Sequence, residues 1–309
     1  MNILITGGAG FIGSNIAEEY VRLGHSVVVV DNLSTGFIEN VPKGTTFYQV
    51  DLRTEELDDI MDRHEIEIIN HHAAQIDVRH SVANPQFDLS VNVMATLNLL
   101  EAARKRSLER FIFASTGGAI YGEQDYFPAD EQHPTRPISP YGITKLTVEH
   151  YLHYYHVVHG LDYTVFRYTN VYGPRQSPHG EAGVVAIFAE KILNGEQPVI
   201  NGSGLQTRDY VFVQDVVRAN VLALDMEGTD TFNVCTAVEK TVLDVFRGLV
   251  RVSGKSVKEE HAPEKAGEQM RSVCSYQKIK ERLGWEPRVF LDEGLEITYE
   301  YFKEKHERA

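Results

Sequence analysis

Ile3-Leu4-Ile5-Thr6-Gly7-Gly8-Ala9-Gly10-Phe11-Ile12-Gly13 is the stretch from which the fold can be read. A short apolar run leads straight into glycines at positions 7, 10 and 13, and a helical pattern, Ser14–Leu23, follows. A strand that turns sharply into a helix favours residues without Cβ: they tighten the turn, let backbone approach a ligand and let the helix pack close. The free N–H groups at such a helix start face an anion, for example a pyrophosphate. An ordinary strand–helix turn could carry the same glycines. The setting, between a buried strand and a helix, selects a dinucleotide-binding turn. No Gly-Lys-Ser/Thr follows, so this is not a P-loop. Gly7, Gly10, Phe11, Ile12 and Gly13 are therefore assigned to the cofactor.

Working outward, the next apolar run, Ser26–Val30, ends at Asp31. An acid there accepts hydrogen bonds from the adenosine ribose and repels a 2′-phosphate. No Arg stands within Asp31-Asn32-Leu33-Ser34-Thr35-Gly36, so NAD is expected and not NADP. Asp51-Leu52, after the run Thr46–Val50, is placed to meet the adenine. The runs Glu67–Asn70, Arg110–Ser115 and Tyr163–Arg167 then alternate with the helical patterns Leu57–His64, Pro85–Lys105 and Tyr141–His159. Most runs lack strict apolar–polar alternation, as strands covered on both faces do. The expected fold is α/β, a Rossmann-like doubly wound parallel sheet.

After Tyr172 comes loop chemistry, Gly173 to Gly180. A helix at Val184–Leu193, a turn at Asn201–Gly204, a strand at Tyr210–Val213 and a helix after Asp215 are expected next, with two or three more helices beyond. The chain is divided into a cofactor domain, residues 1–172, and a smaller C-terminal α/β substrate lobe, 173–309. Residues 210–233 are expected to return to the large sheet.

The bulk numbers exclude some functions. With 44 acidic and 30 basic residues the net charge is −14, which argues against nucleic acid as a partner. Cys235 and Cys274 sit in no CxxC pattern, so neither a disulfide framework nor a zinc site is expected. No run approaches the ~18 apolar residues of a membrane span. A cytoplasmic protein with no membrane partner is expected.

Tyr141 and Lys145 are four apart and share a helical face. A phenol of pKa ~10 is a poor base at neutral pH. A nearby ammonium, or the charged nicotinamide ring, favours its phenolate. Tyr141 could then take a proton from a substrate hydroxyl as hydride leaves the same carbon. At the end of the run Arg110–Ser115, Ser115 or Thr116 offers a hydroxyl to polarise the substrate oxygen. Turn chemistry around Gly117-Gly118, which demands unusual dihedrals, explains the same residues.

The chain resembles the extended short-chain dehydrogenase/reductase family and, within it, the UDP-glucose 4-epimerase group. The matching pieces are GGAGFIG (7–13), DNLSTG (31–36), HHAAQ (71–75), Asn92, IYG (120–122), SPYGITK (139–145), RYTNVYGPRQ (167–176), RDYVFVQD (208–215) and LGW (283–285), in order along nearly the whole chain. The resemblance implies Tyr141 as base and Lys145 as its tuner and holder of the nicotinamide ribose. It adds Asn32, Ser34, Thr35, Gly36, Ala73, Ala74, Gln75 and Asn92 to the NAD site. Asn170 and Arg208 would hold the UDP-sugar. The family's catalytic serine falls on Gly117, so either Thr116 replaces it or Tyr141 works without that partner; Thr116 is the expected replacement.

The turn at Thr116-Gly117-Gly118 lacks the carboxylate pair of the related dehydratases, so epimerisation at C4 is expected. The resemblance, aligned without gaps from Gly267 to Trp285, implies that the family's specificity position beside the sugar's C2 substituent is Ser272, whose small side chain would leave room for an N-acetyl group. Lys265 is either a second cation for the diphosphate or a solvated lysine. The rival readings are another nucleotide-sugar enzyme, such as a UDP-glucuronate epimerase or decarboxylase, and an NAD-binding sensor. A sensor would have no use for both Tyr141 and Lys145. His150, His153, His156 and His159 step round their helix by threes, too widely for one metal ion, and no metal is expected. The resemblance instead implies a homodimer through the helix at 141–159.

Overall fold

A computed structural model describes every residue except 55, 107, 180–182, 265–268 and 309. Lys265 thus lies outside the described residues. The elements begin β1 (Asn2–Thr6), α1 (Phe11–Arg22), β2 (Ser26–Asp31), β3 (Thr46–Gln49), α2 (Leu57–Arg63) and β4 (Ile68–His71). Then come α3 (Val78–Ala83), α4 (Pro85–Leu89), a π-helical turn (Ser90–Met94), α5 (Ala95–Arg104), β5 (Arg110–Thr116), α6 (Pro140–His159) and β6 (Tyr163–Tyr168). They continue with β7 (Asn170–Tyr172), α7 (Val184–Leu193), β8 (Ile200–Asn201), β9 (Thr207–Phe212), α8 (Val213–Leu224), β10 (Asp230–Val234) and β11 (Glu239–Thr241). The last are α9 (Val242–Ser253), β12 (His261–Ala262), α10 (Gln277–Leu283) and α11 (Leu291–Arg308).

The chain falls into two compact units. The first comprises Met1–Gly122, Pro134–Arg167 and Val217–Phe232, and the second comprises Glu123–His133, Tyr168–Val216 and Asn233–Ala309. The return of the chain near residue 217 adds β10 to the edge of the large sheet beside β6. The excursion at 123–133 left no mark in the sequence pattern, because it contains no regular element.

Among the described residues the large sheet has the strand order β10-β6-β5-β4-β1-β2-β3. Its β1–β2, β2–β3, β1–β4 and β4–β5 pairs are parallel. Sequence order runs one way from β1 through β2 and β3, and the other way from β4 through β5 and β6. In such sheets ligands bind at the carboxyl ends of the strands where the order reverses, here between β1 and β4. Leu4, Val28, Val30, Ile69, Phe111 and Phe113 from the strands pack with Leu99, Leu100, Leu152 and Tyr155 from the helices. The alternate strand positions Ile3, Ile5, Val27, Val29 and Ile112 are buried as well, and this two-sided burial explains the missing alternation.

Local chemistry sets the helix that carries Tyr141. Ser139 caps α6 by accepting from the Gly142 N–H at 3.2 Å, and Pro140 occupies the first turn. Gly160, at φ 71°, ends it by donating to the His156 carbonyl. The helical pattern expected over residues 85–105 is present but interrupted by the π-helical turn, which contains the buried Asn92. Such turns recur at functional sites.

The second unit has its own core, with Phe188, Phe246, Leu249, Leu295 and Tyr299 among its members. Its three-stranded sheet runs β11-β9-β7. No helix among the described residues is long and apolar enough to cross a membrane.

Candidate active site

The glycine turn sits at the point where the strand order reverses. Gly7 has φ 70°, and a Cβ there would lie 2.6 Å from the Ala73 nitrogen in the segment after β4. A Cβ on Gly13 would come within 2.4 Å of the Gly7 carbonyl oxygen. Gly10 starts α1 with no side-chain cap on the first-turn amides. These are the demands of a phosphate-binding turn: close backbone approach and helix N–H groups left to a ligand. The Asp31 carboxylate accepts from the Ala9 N–H at 3.0 Å and the Leu33 N–H at 2.8 Å. Phe37 donates to the Ala9 carbonyl at 3.0 Å, and Gly36 lies against Ala9. The segment holding Asn32, Ser34, Thr35 and Gly36 is therefore tied to the glycine turn. The residues present fit NAD.

Asp51 is less free than expected. It pairs with Arg53 at 2.7 Å and accepts from Asn32 at 3.1 Å, and these contacts hold its carboxyl below the usual range, Arg53 first. Arg53 is thus a cation beside Asp51 that the segment 31–36 did not show, and Asp51 balances its charge. Leu52 is buried, and its carbonyl accepts from Asn98 at 3.2 Å.

The segment at Ala73, Ala74 and Gln75 is held from two sides. Ala73 N–H donates to Thr6 Oγ1 at 3.3 Å. Asn92 accepts from the Gln75 N–H at 2.8 Å and donates to its carbonyl at 2.9 Å. His71 hydrogen-bonds Thr6 at 2.7 Å and Thr96 at 2.8 Å through its two ring nitrogens, so it serves the sheet. Its neighbour His72 is pushed down to about 3 by burial and by the Lys145 charge.

Tyr141, Lys145 and Thr116 meet in the first unit. Tyr141 keeps partial exposure as a residue, but its phenol lies among buried atoms. Desolvation pushes it above its ordinary value, Asp88 adds to this, and a hydrogen bond from Thr116 acts in the opposite sense. Its backbone N–H donates to Ser81 Oγ at 3.3 Å. Lys145 lies 5.9 Å from the centre of the Tyr141 ring and 4.8 Å from that of Phe113, and donates to the Ala114 carbonyl at 2.8 Å. Burial pushes its ammonium down to about 8, against the pull of Asp88 and Glu149.

The choice between the two hydroxyls at the end of β5 is a matter of packing. Ser115 Oγ donates to Glu149 at 2.5 Å, inside a buried pair of Glu149 with Arg167. Thr116 bonds the phenol. Gly118 has an ordinary backbone; the left-handed residue of this segment is Gly122, at φ 65°. The unusual dihedrals expected at Gly117-Gly118 therefore belong to Gly122. A Thr116→Val variant is expected to lose about tenfold or more in kcat with stability held. Ser115→Ala is expected to lose about 1 kcal/mol of stability with chemistry held. Steady-state rates and urea unfolding of both variants check this. The reverse pattern would assign the hydroxyl to Ser115.

In the second unit, Asn170, Arg208 and Ser272 gather around β9. Asn170 pairs with Tyr210 across β7 and β9, and its amide donates to the Asp209 carbonyl at 3.3 Å. Arg208 pairs with Lys240 of β11, and its guanidinium donates to the Thr207 carbonyl at 2.8 Å. Ser272 is buried and follows Arg271, which bridges Thr207. Asp209, to which the sequence assigned no role, accepts from Thr236 and Ala237 at 2.7–2.9 Å; burial pushes it up to about 6 against these bonds.

The NAD dependent epimerase/dehydratase family matches residues 3–235. The chain belongs to that family. Within the epimerases, the putative UDP-glucose 4-epimerase of Methanocaldococcus jannaschii is 41% identical over 301 residues, covering 97% of this chain and 98% of that protein. The UDP-glucose 4-epimerase of Thermotoga maritima, solved with UDP-glucose, superimposes with a TM-score of 0.97 at 47% identity, covering 99% of this chain and all of that one. The Thermus thermophilus enzyme, solved in complex with NAD, gives 0.93 at 44% identity over 98% and 99% of the two chains. Asp88, Glu149 and Arg167 are among the polar residues of the first unit's candidate site to which sequence reasoning gave no role. Spacing was the available signal: Asp88 is four before Asn92, and Glu149 four after Lys145.

Proposed function

We propose that the chain interconverts UDP-glucose and UDP-galactose by NAD-dependent epimerisation at C4. The observation that carries the reading is the phenol of Tyr141 bonded by Thr116 and underlain by Lys145, in the unit that holds the glycine turn and Asp31. Bound NAD supplies the acceptor and donor of hydride at C4 and, through its charged ring, a further cation favouring the phenolate. Tyr141 takes the proton of the C4 hydroxyl and later returns it. Thr116 hydrogen-bonds the same oxygen site, and Lys145 steadies the negative phenolate. Asn170 and Arg208 are proposed to hold the UDP portion. The sugar presents its opposite face before hydride returns, so the reaction has no net redox change.

Purified protein given UDP-galactose without added NAD is expected to form UDP-glucose and to release NAD on denaturation. No turnover with added NAD would sink the reading; turnover of UDP-glucuronate alone would replace the substrate. UDP-GlcNAc and UDP-GalNAc form a second arm of the assay. Their acceptance rests on the size of Ser272 and not on an open pocket, since the residue is 2% exposed; absence of N-acetyl turnover removes that extension.

The working unit is proposed to be a cytoplasmic homodimer joined through α6. Ile143, Tyr151, Tyr154, Val157 and Val158 are exposed and recur along one face of that helix. A row of exposed apolar side chains marks an association surface. Light scattering at micromolar concentration is expected to give twice the chain mass; a single-chain mass defeats this.

A further inference from the structure

We propose that Asp88 is a positioning residue of the reaction centre, its carboxylate serving as counter-charge of the Lys145 ammonium and tying the Gln75 segment to the Tyr141 helix through Thr144. The inference rests on the epimerase reading above, and its first measurement does not require turnover.

Asp88 is fully buried, at 0% exposure, and its side-chain bonds come from neutral donors. Its Oδ1 accepts from Gln75 Nε2 at 2.8 Å and from Asn92 Nδ2 at 3.1 Å; its Oδ2 accepts from Thr144 Oγ1 at 2.8 Å. Thr144 lies between Tyr141 and Lys145 on α6 and is also within bonding distance of the Tyr141 carbonyl, at 2.9 Å. One carboxylate therefore joins the segment after β4, the helical turn at Asn92 and the catalytic helix.

A buried charge needs an opposite charge, even where the two are not in contact. Lys145 is in the same position: it is 4% exposed, and its hydrogen bond goes to the neutral Ala114 carbonyl. Two carboxylates stand near it: that of Asp88, which holds Thr144, the residue before Lys145, at 2.8 Å, and that of Glu149, one turn on along α6; both favour its ammonium. Glu149 is already balanced by Arg167 of β6, at 2.6 Å. That leaves Asp88 with its charge uncommitted.

The other charged groups on the elements around α6 do not fill this role. His71 and His72, at and beyond the end of β4, are held neutral by burial. Arg79 and His80 of α3 are exposed. Glu101 and Arg104 of α5 pair with each other at 2.8 Å. Arg110 lies at the opposite end of β5 from Thr116 and binds the Met226 and Gly228 carbonyls. The Tyr141 phenol is pushed toward its neutral form.

Asp88→Asn is a nearly clean test of charge. The amide oxygen can still accept from Gln75 and Asn92, and the new N–H can donate to Thr144, whose hydroxyl still reaches the Tyr141 carbonyl. The whole protein, carrying 13C-labelled lysine and bound NAD, is titrated by NMR at the Lys145 Cε. The Lys145 midpoint is expected at least one pH unit lower in the variant, a tenfold or greater loss of proton affinity. Loss of a neighbouring anion destabilises the ammonium, so the shift must be downward. The basic limb of the pH–rate profile is expected to move down with it.

Thr144→Val keeps the carboxylate and cuts the tie, so it is expected to lower kcat with the Lys145 midpoint in place. An unmoved midpoint in folded Asp88→Asn overturns the proposal. So does an equal shift in Thr144→Val. If Asp88→Asn fails to fold, Asp88→Ser is read by the same criterion. A shifted midpoint in a protein that turns over no UDP-hexose counts against the epimerase reading alone.

Discussion

Tyr141→Phe is expected to lower kcat for UDP-galactose conversion by about 10²–10⁴-fold, the span that a positioned acid–base group contributes. The substitution deletes one oxygen. The ring remains over Lys145, and the cap at Ser139 and the backbone bond to Ser81 do not involve the phenol. Only the bond with Thr116 is lost. Folding stability should therefore change by no more than about 1 kcal/mol. NAD content should be retained, since the glycine turn and Asp31 are untouched. The residues proposed for the UDP portion are also unchanged, so the loss belongs in kcat more than in KM. The check is a steady-state assay with the NAD content of both proteins measured. A variant keeping a tenth or more of the activity would mean that another group moves the proton.

Arg167→Leu should cost about 3–5 kcal/mol of stability, far more than Tyr141→Phe or Ser115→Ala, because it strands a buried carboxylate. Arg167 and Glu149 are each under a tenth exposed. Arg167 donates to both Glu149 oxygens, at 3.1 and 2.6 Å, and to the Tyr121 hydroxyl at 3.0 Å. Its guanidinium also stands 5.3 Å from the centre of the Tyr121 ring. Without Arg167, Glu149 keeps its bond from the Ser115 hydroxyl and remains buried as an anion. The double variant Arg167→Leu/Glu149→Leu removes both charges and is expected to recover more than half of the loss. Urea unfolding of the single and double variants makes the comparison. A single-variant cost below about 1 kcal/mol would show that water or a rearranged neighbour satisfies Glu149.

Tyr141 and Arg167 differ in how far the sequence exposes their roles. Tyr141 was legible because its role depends on local features: a helix start at Ser139-Pro140 and a lysine one turn on. The glycine turn and Asp31 were legible for the same reason, since a left-handed Gly7 and an acid at a strand end are demands of single backbone positions. Arg167 was visible only as part of a motif. Its partner Glu149 lies on a different element, and nothing in the spacing of a strand predicts which helix side chain will cover it. Asp88 was hidden further, in a helical stretch whose apolar pattern reads without a break across the π-helical turn.

Between Ser115 and Thr116 the sequence left a choice that three-dimensional contacts resolve. Both hydroxyls are at the end of β5, and each could serve a phenol. Glu149 engages Ser115, and this leaves Thr116 for Tyr141. The glycine turn behaves in a similar way. Its spacing, set between a buried strand and a helix, pointed to a dinucleotide site, whereas the close approach of Gly7 to Ala73 shows that the segments after β1 and β4 pack together there.

The α/β order and the NAD cofactor were thus legible in the amino-acid sequence, as were the glycine turn, the acid after β2 and the Tyr–Lys pair proposed to serve the site. Each is written in residues close along the chain, where backbone dihedrals and helical periodicity are decided. Packing decided which hydroxyl meets Tyr141, which acid is left without a cationic partner near Lys145, where residues 123–133 belong, and that the return to the large sheet begins near residue 217 and not at 210. Those outcomes depend on burial and on charges meeting across elements, and desolvation makes such contacts matter only after the chain has packed.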